Sequence, residues 1–154
     1  MRDLAKIRAL TAAERRLLVF CLFALPLVRG GIAVFGFRRA RGAMWRWPAP
    51  PSPRYAAPED AATRARSVAG VVSIAGRRGP VRATCLPRSL LTSWILRHDG
   101  IDTALRVGAS REGGSFHAHA WVEHRGDPLS DDENIAVRFP PFEGDFSAPV
   151  GRAS

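Results

Sequence analysis

Between residues 48 and 58 the chain reads PAPPSPRYAAP, five prolines in eleven positions. Proline fixes φ and supplies no amide donor, so neither a helix nor a central strand continues through such a run. The tract therefore divides the chain into a segment of residues 1–47, a linker of residues 48–58 and a region of residues 59–154. The last is long enough for one small domain with a core of its own.

Charge divides at the same place. Residues 1–58 carry eleven Lys and Arg against two acidic residues, a net of +9, whereas residues 59–154 balance twelve Arg with twelve Asp and Glu. A nucleic-acid enzyme carries its positive charge around its site. Here the whole excess lies in the N-terminal third, which speaks against nucleic acid as a partner.

Within that third, TAAE at residues 11–14 is a capping box, with Thr11 and Glu14 satisfying free amides at a helix start. The helix is expected to continue through RRLLVFCLFAL. From Leu17 to Leu25 apolar residues cover all of its faces, so it is packed on the domain, covered by a partner or in contact with lipid. Pro26 is expected to end or kink it, and Arg29 with Gly30 and Gly31 interrupts the apolar run before IAVFGF resumes. The run from Leu17 to Val28 is too short to span a bilayer, and no small-residue cleavage site of a secretory signal follows it.

After the linker, a helix is expected over residues 59–75, with Glu59 and Asp60 at its start and GRRGP closing it. The next stretch, ATCLPRSLLTSWILRHDGI, forms a helix capped by Thr84 or Cys85, with Pro87 in its first turn and Gly100 at its end. Its buried stripe is Leu86, Leu90, Leu91, Trp94 and Ile95. Cys85 thus stands at a helix N-terminus, where unpaired amides and the positive end of the macrodipole favour the thiolate and bind an oxyanion.

Two strands follow, joined by the loop SREGGS. The first is IDTALRVGA, residues 101–109; the second, residues 116–123, places Phe116, Ala118, Ala120 and Val122 on a core face and His117, His119, Trp121 and Glu123 on the other. HRGDP supplies turn chemistry that returns Asp131 alongside the second strand. The order is a helix bearing Cys, a strand, a strand bearing His, a turn, then Asp. It suits a cysteine acyl-transfer triad in which His119 deprotonates Cys85 and Asp131 orients the imidazole. A second chemistry fits the same residues: His117 and His119 on one strand face could hold zinc with Cys85 or Asp131. Trp121 either screens the His119–Asp131 contact from water or is simply core. Cys21, inside the apolar run, and Cys85 do not suggest a disulfide framework, and a reducing, cytosolic setting is expected.

The segments TCLPRSLLTSWILRHDGIDTALRVGA and FHAHAWVEHRGDPLSDD resemble the leader peptidase of lasso peptide biosynthesis, the stand-alone B protein with a transglutaminase-like core. The likeness runs from Thr84 to Asp131 and extends more weakly to LTAAERRLLV and FPPFEGDF. It implies an α+β papain/transglutaminase-like fold with an N-terminal helical appendage. It also implies removal of the leader from a ribosomally made precursor, before an ATP-dependent cyclase closes the macrolactam, at a bond following a leader with threonine next to its last residue. The family's nucleophile matches Cys85, its HAWVE histidine His119 and its acid Asp131. Asp132 adjoins that acid, and Ser130 stands where the family commonly has asparagine.

No cofactor and no metal are expected. Residues 1–58 lack the several strands of a fused leader-recognition domain, so a separate leader-binding protein is expected to present the precursor. Residues 11–47 offer a surface to that protein, to the cyclase or to an anionic membrane; the break at Pro26 and Gly30–Gly31 favours a packed helical pair facing a protein. Two other functions fit parts of the pattern: acyl transfer to an amine through the same triad, and a non-catalytic peptide adaptor at a membrane surface.

Overall fold

The computed structural model describes residues 10–48, 57–80, 83–112, 114–129, 134–142 and 146. Among the described residues, four helices, a three-stranded antiparallel sheet and a short closing helix follow one another. Helix α1 is Ala12–Phe35, α2 Phe37–Trp45, α3 Pro58–Arg78 and α4 Cys85–His98. Strand β1 is Ala104–Glu112, β2 Ser115–His124 and β3 Asp127–Pro128, and α5 is Ile135–Arg138. The proline-rich linker falls, over residues 49–56, outside the described residues.

The capping box forms as its residue types require. Glu14 accepts from the Thr11 amide at 2.9 Å while the Thr11 hydroxyl accepts from the Glu14 amide at 3.2 Å. The same carboxylate accepts the Ser67 hydroxyl at 2.6 Å, so the cap also pins the start of α1 to α3.

Of the two outcomes expected at Pro26, an end or a kink, the end does not occur: α1 passes through Pro26 and is not interrupted at Gly30–Gly31. An interior proline costs about 3 kcal/mol and an interior glycine about 1. Against this, α1 buries Cys21 and Leu25 completely on α3, with Leu17, Leu18, Leu22 and Val28 partly covered around them. Each buried aliphatic side chain contributes about 2 kcal/mol, so packing on both sides of Pro26 outweighs the defect. The helix ends instead at Gly36, whose φ of 79° is open to glycine and whose amide bonds the Ile32 carbonyl.

Helix α3 turns a small-residue face toward α1, with Ala61, Ala65, Val68, Val72 and Ala75 buried at spacings of three and four. Its acidic first turn and its basic last turn, Arg77 and Arg78, both match the helix dipole.

Helix α4 lies at the centre, touching α1, α2, α3 and both long strands. Burial therefore wraps it more widely than the expected stripe. Leu90, Leu91, Ile95 and Leu96 are buried, but so are Ser89, Thr92 and Ser93, while Leu86 and Trp94 are only partly covered. The buried hydroxyls find partners: Ser89 donates to the Ala120 carbonyl at 3.0 Å, and Ser93 pairs with Thr103 at 3.1 Å. Arg64 reaches from α3 to Asp99, just past the end of α4, at 2.8 Å.

The sheet has the order β1-β2-β3. Its ladder runs from Ala104↔Glu123 to Glu112↔Ser115, so the strands extend through most of the expected loop, and Gly114 before β2 has φ 82°. The expected one-sided burial of β2 holds only in part. Ala120, Trp121 and Val122 are buried on both faces, whereas residues 115–118 are exposed and Phe116, assigned to the core face, is 67% exposed. Helix α4 begins beside Ala120, and the hairpin tip projects past the end of the helix that would cover it.

Because Leu91 is fully buried in the cluster shared by α1, α3 and α4, Leu91→Ala is expected to lower stability by about 3 kcal/mol. Phe23→Ala, at a site 72% exposed, is expected to stay within about 0.5 kcal/mol. Urea unfolding checks both, as a lower midpoint at unchanged slope for the first and little change for the second.

Candidate active site

Cys85 is the first residue of α4. The N-cap, Thr84, places no side-chain oxygen on the first-turn amides, so those donors are not spent on a cap. The thiol bonds the His119 side chain and meets the backbone of Ala120 and of Leu86. These contacts, the imidazole first, hold the Cys85 thiol below its ordinary pKa despite partial burial, which alone would raise it. Cys21 has no such partners. Burial in the α1–α3 contact pushes its thiol up to about 12, so it stays protonated and inert.

One helical turn beyond Cys85, Ser89 donates to the Ala120 carbonyl. Cys85 and Ser89 therefore grip the same residue of β2, which fixes where His119 stands relative to the helix start. The spacing of four marks Ser89 as sharing the face of Cys85, but its partner on another element was invisible in the sequence.

His119 is half-buried between two rings. Trp121 stacks at 6.3 Å with an interplanar angle of 17°, and Phe139 lies at 5.3 Å, tilted by 32°. Trp121 is fully buried, and its indole N–H donates to Glu123 at 2.8 Å; Arg106 holds the same carboxylate at 3.2 Å. Phe139 arrives on a strap, residues 139–142, that runs along the free edge of β1. The Ala109 amide donates to the Pro140 carbonyl at 3.4 Å, and the Phe142 amide to the Val107 carbonyl at 2.9 Å.

The strap crosses where β1 has no side chain. Gly108 pairs with His119 in the ladder, and a Cβ there would stand 2.8 Å from the Pro140 carbonyl oxygen and 3.0 Å from the Phe139 carbonyl carbon. Only glycine admits the strap this close, and so only glycine lets Phe139 reach the imidazole. Neither residue was singled out from the sequence, where Gly108 read as an ordinary strand position.

Of the site residues expected from the sequence, the structure brings Cys85 and His119 together. Asp131 and its neighbour Asp132 lie outside the described residues. His117 is exposed on the projecting hairpin. Among the described residues no three His, Cys, Asp or Glu side chains gather as a metal site would need. Arg88, Arg97 and Arg106, near the site in sequence, make structural contacts with Thr84, Trp47 and Glu123.

A family model described as the transglutaminase-like superfamily matches residues 27–142, a span holding both Cys85 and His119. No curated protein and no solved structure matches the chain.

The two thiols should separate cleanly under alkylation. In the folded chain iodoacetamide is expected to modify Cys85 and leave Cys21 untouched until denaturant is added, as peptide mapping would show. Because the Cys85 pKa is depressed, its rate should persist below the titration of a free thiol near about 8.5 and fall only as pH drops through the lowered value. His119→Ala removes the leading cause and should move that inflection upward. An unchanged inflection would contradict the geometry described here.

Proposed function

The chain belongs to the transglutaminase-like superfamily, and on that premise we propose that it is a cysteine peptidase that removes the leader from a ribosomally made lasso peptide precursor before macrolactam closure. The hydrogen bond between Cys85 at the start of α4 and His119 on β2 carries this reading. The sequence blocks CLPRSL and HAWVE around those two residues support the leader peptidase among the family's activities.

In this mechanism the Cys85 thiolate attacks the carbonyl carbon of the scissile peptide. The developing oxyanion is held at the N-terminus of α4, in part by the Cys85 amide, where the helix dipole opposes its charge. His119, protonated, gives its proton to the departing amine and leaves a thioester on Cys85. Water then attacks the thioester with His119 accepting its proton, releasing the leader as a free carboxylic acid and restoring the thiolate. Trp121 and Phe139 enclose the imidazole, limiting the water that competes for its nitrogens. Asp131 is the proposed third member, accepting from the far imidazole nitrogen and fixing its tautomer.

By the same resemblance, leader recognition is assigned to a separate binding protein, and the product core peptide to an ATP-dependent cyclase.

The test is incubation of the precursor encoded beside this gene with the chain and the leader-binding protein, followed by mass spectrometry. Leader ending in a free acid is expected; a cross-linked product would reassign the chemistry to acyl transfer. Cys85→Ala should abolish turnover and Cys21→Ala leave it largely intact. His119→Ala should cost about a thousandfold or more, since both proton transfers pass through it. Asp131→Asn should be severe, while His117→Ala and Asp132→Asn should be mild, and a reversal within either pair would move the assignment to the neighbour.

A further inference from the structure

The outward side of α1 is as apolar as its buried side. Phe20, Phe23, Leu27 and Val34, with Arg16 leading them, recur at spacings of three, four and seven and so share one face. Phe23 is 72% exposed, Leu27 76% and Val34 74%, and Val19 and Phe35 stand exposed beside them. From Leu17 to Val28 there is no polar side chain at all apart from the thiol of buried Cys21, so the face offers a protein partner no hydrogen bond by which to be recognised.

Charge identifies the occupant. Residues 15–48 contain seven arginines, no lysine and no carboxylate. Arg16, Arg29, Arg38, Arg39 and Arg46 are exposed. At the corner where α1 meets α2, Arg38, Arg39 and Arg46 border an open concavity of about 830 Å³ with Phe35, Phe37 and Trp45, and Trp47 projects nearby, 70% exposed. Arginine beside tryptophan and phenylalanine suits the headgroup level of a bilayer, where aromatic rings straddle the interface and cations meet anionic lipid.

We propose that this face of α1, with the arginines of α2, seats the protein on the surface of an anionic lipid bilayer. Helix α1 has the length and composition to cross a membrane, with a mean hydropathy of 2.3 over eighteen residues. Its opposite side, however, completes the core through Cys21 and Leu25. Crossing would strip that packing from α3, whereas lying in the interface keeps it and covers only the exposed face. Helix α1 continues through Pro26 and Gly30–Gly31 to Phe35, so its exposed apolar residues lie along one helix, as an interfacial helix needs. This inference concerns where the protein works and does not depend on the reaction it performs.

Flotation of the purified full chain with vesicles tests it. The chain should float with phosphatidylcholine vesicles containing phosphatidylglycerol, float poorly with phosphatidylcholine alone, and lose binding as salt is raised. Phe23→Glu with Leu27→Glu should reduce flotation at least about tenfold, and Arg38→Glu with Arg39→Glu should abolish the preference for anionic lipid. Both double variants replace exposed residues, so both should keep Cys21 protected from iodoacetamide while Cys85 reacts, as proof of folding. Three results would overturn the proposal: no flotation with anionic vesicles, equal flotation of the folded double variants, or a dimer in light scattering that Phe23→Glu with Leu27→Glu dissolves while vesicles are ignored, in which case a second copy covers the face.

Discussion

The Ala120 residue of β2 is where helix and sheet are joined at the site, and the pairing of Cys85 with His119 rests on that joint. Its backbone meets the Cys85 thiol on one turn of α4, and its carbonyl takes the Ser89 hydroxyl on the next. Two contacts a turn apart fix both the slide and the rotation of the strand against the helix. A helix N-terminus activates a thiol only over a short range, so an imidazole on a neighbouring strand is useful only if the two elements are in register. Ser89 is fully engaged and buried, and its loss would leave an uncompensated carbonyl at the place where register matters most.

That joint needs α4 to be immobile, and the rest of the molecule holds it from every side. Arg64 bonds Asp99 at one end, and the Trp94 indole bonds the Met44 carbonyl of α2 at 3.0 Å. Phe146 also meets β1: its amide donates to the Leu105 carbonyl at 2.9 Å and its carbonyl accepts from Arg41 of α2 at 2.6 Å. Residues far apart in sequence are thereby linked around α4, and the side chains that close this ring are mostly polar atoms bonded to backbone. Such bonds specify geometry more than they add stability, since each net contribution is about 1 kcal/mol.

Local patterns in the sequence carried much of this. TAAE marked the start of α1, Thr84–Cys85 marked the start of α4, and alternation located β1 and β2, because each depends on neighbours within four residues. The α+β fold and the meeting of a helix-borne cysteine with a strand-borne histidine follow from those elements in that order. What escaped was set by distant partners. Pro26 reads as a stop or a kink, and that the helix passes through it is set by packing on α3. Phe116 reads as core until the length of α4 leaves the hairpin tip uncovered. Phe139 and Gly108 are 31 residues apart and acquire their joint role beside His119 only when the strap lies against β1. Asp131 and the linker over residues 49–56 fall outside the described residues, so the acid and the boundary rest on sequence.

The unequal burial of the two cysteines also governs how the protein withstands oxidants. The thiolate character that makes Cys85 nucleophilic makes it the first sulfur to form a sulfenic acid. A neighbouring thiol normally traps that state as a disulfide and so keeps it from going further. The chain has only two cysteines, and Cys21 is sealed within the α1–α3 contact. It could reach Cys85 only by opening the core. Rescue of an oxidised Cys85 therefore falls to a thiol from outside the chain, and lasting activity is tied to the reducing capacity of the compartment in which the protein resides.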